Sequence, residues 1–108
     1  RNYPGIRGAV TFNSSCYILG EYLEKQERKD IRLVGYDLIA PNVRLLNEGY
    51  VQALIAQRPE LQGYNAVKAL SRLQLFNERP PVVNLLPIDI LLKENYQFYN
   101  KVSNLLLI

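Results

Sequence analysis

Histidine and methionine are absent from this chain, and cysteine occurs once, at position 16. Without histidine the chain lacks the commonest general base and the commonest metal ligand. A single cysteine excludes an internal disulfide and offers no thiol cluster to a metal. Without methionine, Arg1 is not a translation start, and the chain is expected to be a processed or excised piece. Long apolar runs are missing too. Runs such as Leu105–Ile108 are far shorter than the ~20 residues a membrane-spanning helix needs. Clustered charge of one sign is also lacking. The net charge is +3, and the densest basic group, Lys25, Arg28, Lys29 and Arg32, is interleaved with Glu24, Glu27 and Asp30. A nucleic-acid surface gathers basic residues on one face, whereas this mixture reads as a solvated helix end and loop.

What remains is ordinary material for one small globular domain: 108 residues, 48% hydrophobic and 21% charged. Arg7–Phe12 reads as a short buried strand. Asn13-Ser14-Ser15 then supplies side-chain oxygens suited to capping a helix. From Ser15 to about Glu27, Cys16, Leu19, Gly20 and Leu23 recur at helical spacing on one face. Ile31–Tyr36 is the second strand, ending at Asp37. Ala40-Pro41-Asn42 starts a short helix through Asn47, with Pro41 in its first turn, and Glu48-Gly49 turns the chain. Val51–Ala56 is read as the third strand. Its Ala, Leu and Gln would also permit a helix, but the breakers on both sides favour a strand.

Pro59 opens the clearest helix, which runs to about Phe76 and carries Gly63, Ala66, Val67, Leu70 and Leu73 on one side. Val82–Leu86 reads as a fourth strand that Pro87 bends or ends. Ile88–Leu92 continues extended, and Glu94–Tyr99 is a candidate terminal helix. Strands alternating with amphipathic helices imply an α/β fold. The expected architecture is three-layer α-β-α, with a mainly parallel sheet and right-handed crossovers.

In such a sheet ligands bind beyond the carboxyl ends of the strands. Asn13, Asp37 and Gln57 stand at three of those ends. The two amides donate and accept, and an ionised aspartate accepts, which suits a polyhydroxylated ligand. Each residue has a plainer reading as well. Asn13 can cap the following helix, Asp37 can form an Asx-turn, and Gln57 can be a surface residue. Their recurrence at equivalent places favours a ligand rim. Catalysis finds no support. Gly5-Ile6-Arg7-Gly8 lacks the ending of a phosphate loop, and Ser14 and Ser15 have no histidine to activate them. Asp30, Asp37 and Asp89 are too dispersed for a metal site. The expectation is a non-enzyme without cofactor or metal.

Four stretches, AVTFNSSCYILGEYLE, IRLVGYDLI, ALIAQRPELQGYNAVKAL and LPIDILLKEN, resemble the C-terminal part of LacI-type transcriptional regulators and the related periplasmic sugar-binding proteins. The similarity runs from about Arg7 to Asn95, and order and spacing carry it rather than any one motif. The resemblance implies a partial periplasmic-binding-protein type I fold, with ligand held in a cleft of two lobes. It implies effector-binding roles for Asn13, Asp37 and Gln57. Many relatives have Asn-Asp where this chain has Asn13-Ser14, a departure that bears on the ligand's identity. It further implies that residues 1–57 belong mainly to the C-terminal lobe, that 58–86 pack on the N-terminal lobe, and that 87–108 form a return segment and tail.

The function implied is sugar-like effector binding in a cytoplasmic, homodimeric regulator, with DNA contacted only by a domain outside this chain and no membrane partner. A solute-binding subunit of a sugar ABC transporter is the alternative. A Rossmann- or receiver-like enzyme or signalling domain is a second, but a receiver's acidic pocket and strand-end lysine are not evident. If the N-terminal lobe is absent, the face of Gly63, Ala66, Val67 and Leu70 is expected to fold back or to associate.

Overall fold

A computed structural model describes residues 2–99. In chain order it contains β1 (Gly8–Val10), α1 (Cys16–Lys25), β2 (Arg32–Tyr36), α2 (Ala40–Glu48), β3 (Ala53–Ala56), α3 (Pro59–Phe76) and β4 (Asp89–Leu91). A single 3₁₀ turn, Tyr96–Phe98, stands where a terminal helix is expected. The remainder of the 87–108 tail, from residue 100 on, lies outside the described residues. The chain divides into two compact units. One comprises Arg1–Gln57 with Ile88–Tyr96, the other Arg58–Pro87 with Gln97–Ile108.

In the first unit the sheet order is β1-β2-β3-β4. β1 pairs with β2, and β2 with β3, in parallel, while β4 runs antiparallel to β3. The mainly parallel α/β sheet expected from the sequence is therefore present. Side chains alternate across a strand, and the register places Ala9, Leu33, Gly35 and Leu54 on one face. Both α1 and α2 pack there. Cys16 and Leu23 of α1 and Leu45 and Leu46 of α2 join Leu33, Leu54 and Val51 in one buried cluster. Each fully buried leucine contributes on the order of 1.5–3 kcal/mol. The opposite face carries Val10 and Ile90, which are 53% and 60% exposed. Two layers of the expected α-β-α arrangement are thus seen in the described residues of this unit.

The starts of α2 and α3 are those expected from Ala40-Pro41 and Pro59. Ser15 occupies the N-cap of α1 but makes no side-chain cap bond. Asn13 acts instead, its Oδ1 accepting from the Ser15 amide at 2.9 Å. Gly49 closes α2 in the left-handed conformation, φ 90°, and its amide donates to the Leu45 and Leu46 carbonyls. At the amino ends of the strands, Gln52 ties β2 to β3. Its Oε1 accepts from the Leu33 amide, and its Nε2 donates to the Gly49 carbonyl. Arg44 bonds Glu24 of α1 and Glu48 of α2 at 2.9 and 2.8 Å. Its guanidinium holds the Glu24 carboxyl below the usual carboxylate range. This tie is complete above that range and is lost as pH falls through the lowered pKa. Being exposed, it contributes little to stability.

The fourth strand is not the expected one. Val82–Leu86 forms no strand, and Val82 and Leu85 are fully or largely exposed. A strand needs a neighbour for its amides and carbonyls, and the described part of the second unit has no strand to offer. Asp89–Leu91 takes the place by pairing with the open edge of β3, with Leu54 opposite Leu91 and Ala56 opposite Asp89. Tyr96 anchors this return segment on α2, its hydroxyl accepting from Asn47 Nδ2 at 3.0 Å.

The described part of the second unit consists of Arg58, α3, the segment from Asn77 to Pro87, and residues 97–99. No residue of α3 is buried, and Val67 and Leu70 are 66% and 62% exposed. Pro80, Pro81 and Asn84 line a shallow groove with Asn65 and Ala69 of the helix. Tyr99 is buried here, and its hydroxyl accepts from the Arg58 amide at the start of α3 at 2.9 Å.

Gly35 sets the approach of β2 to α1. A Cβ there would sit 2.5 Å from Cys16 Cβ and would also overlap its Sγ. Neither backbone can give way, because one belongs to the sheet and the other to the first turn of α1. A Cβ on Gly20 would meet only the movable end of Leu45. Gly35→Ala should therefore cost about 1–3 kcal/mol in urea denaturation, and Gly20→Ala should stay within about 1 kcal/mol of wild type, helped by alanine's helix propensity. Equal stability of both variants would contradict this packing.

Candidate ligand-binding site

Because β1, β2 and β3 are parallel neighbours, their carboxyl ends share one rim. Asp37 directly follows β2, and Gln57 directly follows β3. Asn13 lies past the end of β1, in the turn into α1. The structure brings two of the three together. Gln57 Nε2 donates to Asp37 Oδ1 at 3.0 Å. Asn13 is joined to neither by a hydrogen bond. Its Oδ1 is occupied by the Ser15 amide, which leaves its Nδ2 as the donor it can offer.

Asp37 is held in an uncommon conformation. Its φ is +74°, in the left-handed region, where residues other than glycine are disfavoured and aspartate is among the more tolerant. Its amide still donates to the Ile55 carbonyl of β3 at 2.9 Å. The chain therefore leaves the sheet at a fixed point and turns sharply. The carboxylate accepts from Gln57 rather than from a backbone amide two residues on, so the simple Asx-turn is not what occupies it. An ionised aspartate offers about four acceptor positions, and Gln57 uses one. Strained non-glycine residues of this kind concentrate at ligand sites, where the surrounding structure holds them.

Asn42 was readable from sequence only as part of a helix start. It is fully buried in α2, and its Nδ2 lies 3.1, 3.0 and 3.1 Å from the carbonyls of Ser14, Tyr36 and Asp37. One side chain thus reaches both the turn that carries Asn13 and the strand end that carries Asp37. A signal for this exists in retrospect. The N-cap of α2 is Ile39, which caps nothing with its side chain, so the polar residue inside the first turn had another task.

Two aromatic rings also stand at the rim. Phe12 is 82% exposed beside Asn13, and its ring centroid lies 6.5 Å from that of Tyr36, beside Asp37. An exposed aromatic next to polar groups can cover an apolar face of a ligand. Beneath the rim, burial pushes the Cys16 thiol up, with the Thr11 hydroxyl acting the other way. A buried thiol with a raised pKa is a poor nucleophile.

The arrangement offers both donors and acceptors to a polar ligand. It pairs a carboxylate with amide donors and carries no second base near Asp37. Among the described residues no group of three or more His, Cys, Asp or Glu could hold a metal ion, and no helix is long and apolar enough to cross a membrane.

Residues 1–78 match a family model described as a periplasmic binding protein domain. In structure the chain is similar to a candidate LacI transcriptional regulator from Bacteroides fragilis. The TM-score is 0.85 and the identity 46%, over 92% of this chain and 34% of that one. It is also similar to a glucose-galactose binding protein from Geobacillus stearothermophilus (TM-score 0.80, 22% identity, 88% of this chain and 34% of that one). A third likeness is a carbohydrate transporter solute binding protein from Agrobacterium radiobacter, solved with D-arabinose (TM-score 0.81, 18% identity, 99% and 36%). The chain spans about a third of the length of these relatives. No curated protein sequence matches it at a significant level.

If the carboxylate of Asp37 serves a ligand rather than the fold, its removal should be nearly silent in the free protein. Glycine adopts φ near +74° without strain. Relief of the backbone then offsets the lost Gln57 bond, and Asp37→Gly should keep folding stability within about 1 kcal/mol of wild type. A loss of several kcal/mol on urea denaturation would make Asp37 a structural residue.

Proposed function

The chain belongs to the periplasmic binding protein domain family, and on that premise we propose that it is the C-terminal part of the sugar-like effector-binding domain of a LacI-type transcriptional regulator. The sugar part of this reading rests on one observation. At the carboxyl edge of a parallel sheet, a left-handed aspartate accepts from the side-chain amide of Gln57, the residue after the next strand. Sugar hydroxyls both give and receive hydrogen bonds, and this pair with Asn13 offers both kinds of partner. The regulator part is supported by the 46% identity to the Bacteroides protein.

In this reading residues 1–57 contribute mainly to the C-terminal lobe and one wall of the ligand cleft. Residues 58–86 belong with the N-terminal lobe, and 87–108 return. The protein acts in the cytoplasm as a homodimer and contacts operator DNA through a domain outside this chain. Ligand shifts the lobes' open–closed equilibrium by binding one state more tightly, and that difference is what reaches the DNA. The domain catalyses nothing. Its rim holds one carboxylate and no histidine.

A second reading, a solute-binding subunit of a sugar ABC transporter, is favoured by the likeness to sugar-binding proteins of transporters. Sugar-dependent release of operator DNA separates the two, since only the regulator shows it.

The site is tested on the intact protein with a panel of pentoses and hexoses in thermal-shift measurements. At least one sugar should raise the wild-type midpoint, and Asp37→Ala should abolish that rise. An unchanged rise in the variant would remove Asp37 from the site.

A further inference from the structure

Asn42 has no access to solvent, so no ligand touches it, yet its amide holds backbone on both sides of the candidate site. We infer that Asn42 is a positioning residue for ligand binding, fixing the Asn13 turn and the Asp37 strand end in one arrangement. The inference rests on the sugar-binding reading above.

Two features carry it. First, its Nδ2, with two protons to give, lies within hydrogen-bond distance of the carbonyls of Ser14, next to Asn13, of Tyr36, and of Asp37 itself. These belong to the turn after β1 and to the end of β2. Second, its orientation is not free. Turning the amide over would bring Oδ1 against three carbonyl oxygens, all acceptors. The donor therefore points at the turn that bears Asn13 and the strand end that bears Asp37.

The consequence is a rim that is organised before ligand arrives. Asp37 sits at φ +74° with its amide on Ile55 and its carbonyl on Asn42. Removing the Asn42 donor leaves the turn of residues 13–15 and the strand end 36–38 free to move separately. The ligand must then order them as it binds, which weakens affinity without removing any contact.

The test uses the intact protein, with isothermal calorimetry for whichever of D-arabinose, D-glucose and D-galactose the wild type binds. Amide hydrogen exchange at Ser15 and Asp37 is followed without sugar. Asn42→Ala should raise Kd at least tenfold and speed exchange at both amides. Asn42→Ser keeps a short donor and should fall between; it decides the matter if the alanine variant does not fold. Leu23→Ala is the control. It opens the core on α1 at a residue that is 2% exposed and should lower stability while leaving Kd within twofold and both amides slow. Asn42 variants that lose stability but keep wild-type affinity and exchange would overturn the inference, as would an equal loss of affinity in Leu23→Ala. A wild type that binds none of the three sugars, with exchange at both loops still dependent on Asn42, overturns the sugar reading and keeps the lock.

Discussion

One buried amide organises the carboxyl end of this sheet. Parallel strands leave their last carbonyls pointing towards the rim, and a buried carbonyl without a donor is costly. Asn42 Nδ2 lies within hydrogen-bond distance of the Tyr36 and Asp37 carbonyls at the end of β2 and of the Ser14 carbonyl in the turn after β1. α2 can deliver that amide because Leu45 and Leu46, one turn further along the same helix, are sealed into the core with Leu33 and Leu54. At the other end of the sheet Gln52 does the corresponding work for the Leu33 amide and the Gly49 carbonyl. Between these two side-chain amides lies the close contact of Gly35 with Cys16, which lets α1 lie directly on β2. The positions of Asn13, Asp37 and Gln57 follow from these three constraints.

A left-handed aspartate and an exposed phenylalanine stand at the rim, and left-handed non-glycine residues also occur at Glu27, Arg58 and Asn77. The core below is ordinary by comparison, apolar and closely packed. This division of labour, with a rigid scaffold carrying strained polar turns, is what a binding domain requires. It accords with membership of the periplasmic binding protein domain family.

Much of this was legible in the residues. The 3.6-residue spacing of Cys16, Leu19, Gly20 and Leu23 marks the buried face of α1, and Pro59 marks the start of α3 at the residue observed. Polar residues straight after apolar strands placed Asp37 and Gln57 on one rim, although only the structure joins them by a hydrogen bond. What could not be read depends on distant partners. Val82–Leu86 has better strand composition than Asp89–Leu91, but pairing decides, and only the latter meets the open edge of β3. Asn42 looked like helix-start chemistry because its three acceptors come from positions 14, 36 and 37, which local sequence does not bring together. Of Asn13-Ser14-Ser15, offered by the sequence for capping, Asn13 makes the bond, to the Ser15 amide.

The central claim is that Asp37, held by this frame, is the acceptor for a sugar hydroxyl. A crystal structure of the intact protein with its sugar bound tests it most directly. The account predicts a sugar hydroxyl within hydrogen-bond distance of the Asp37 carboxylate, with φ of Asp37 still positive and Asn42 still bonded to the Ser14 and Asp37 carbonyls. A sugar bound elsewhere, or an Asp37 carboxylate turned away from it, would contradict the account.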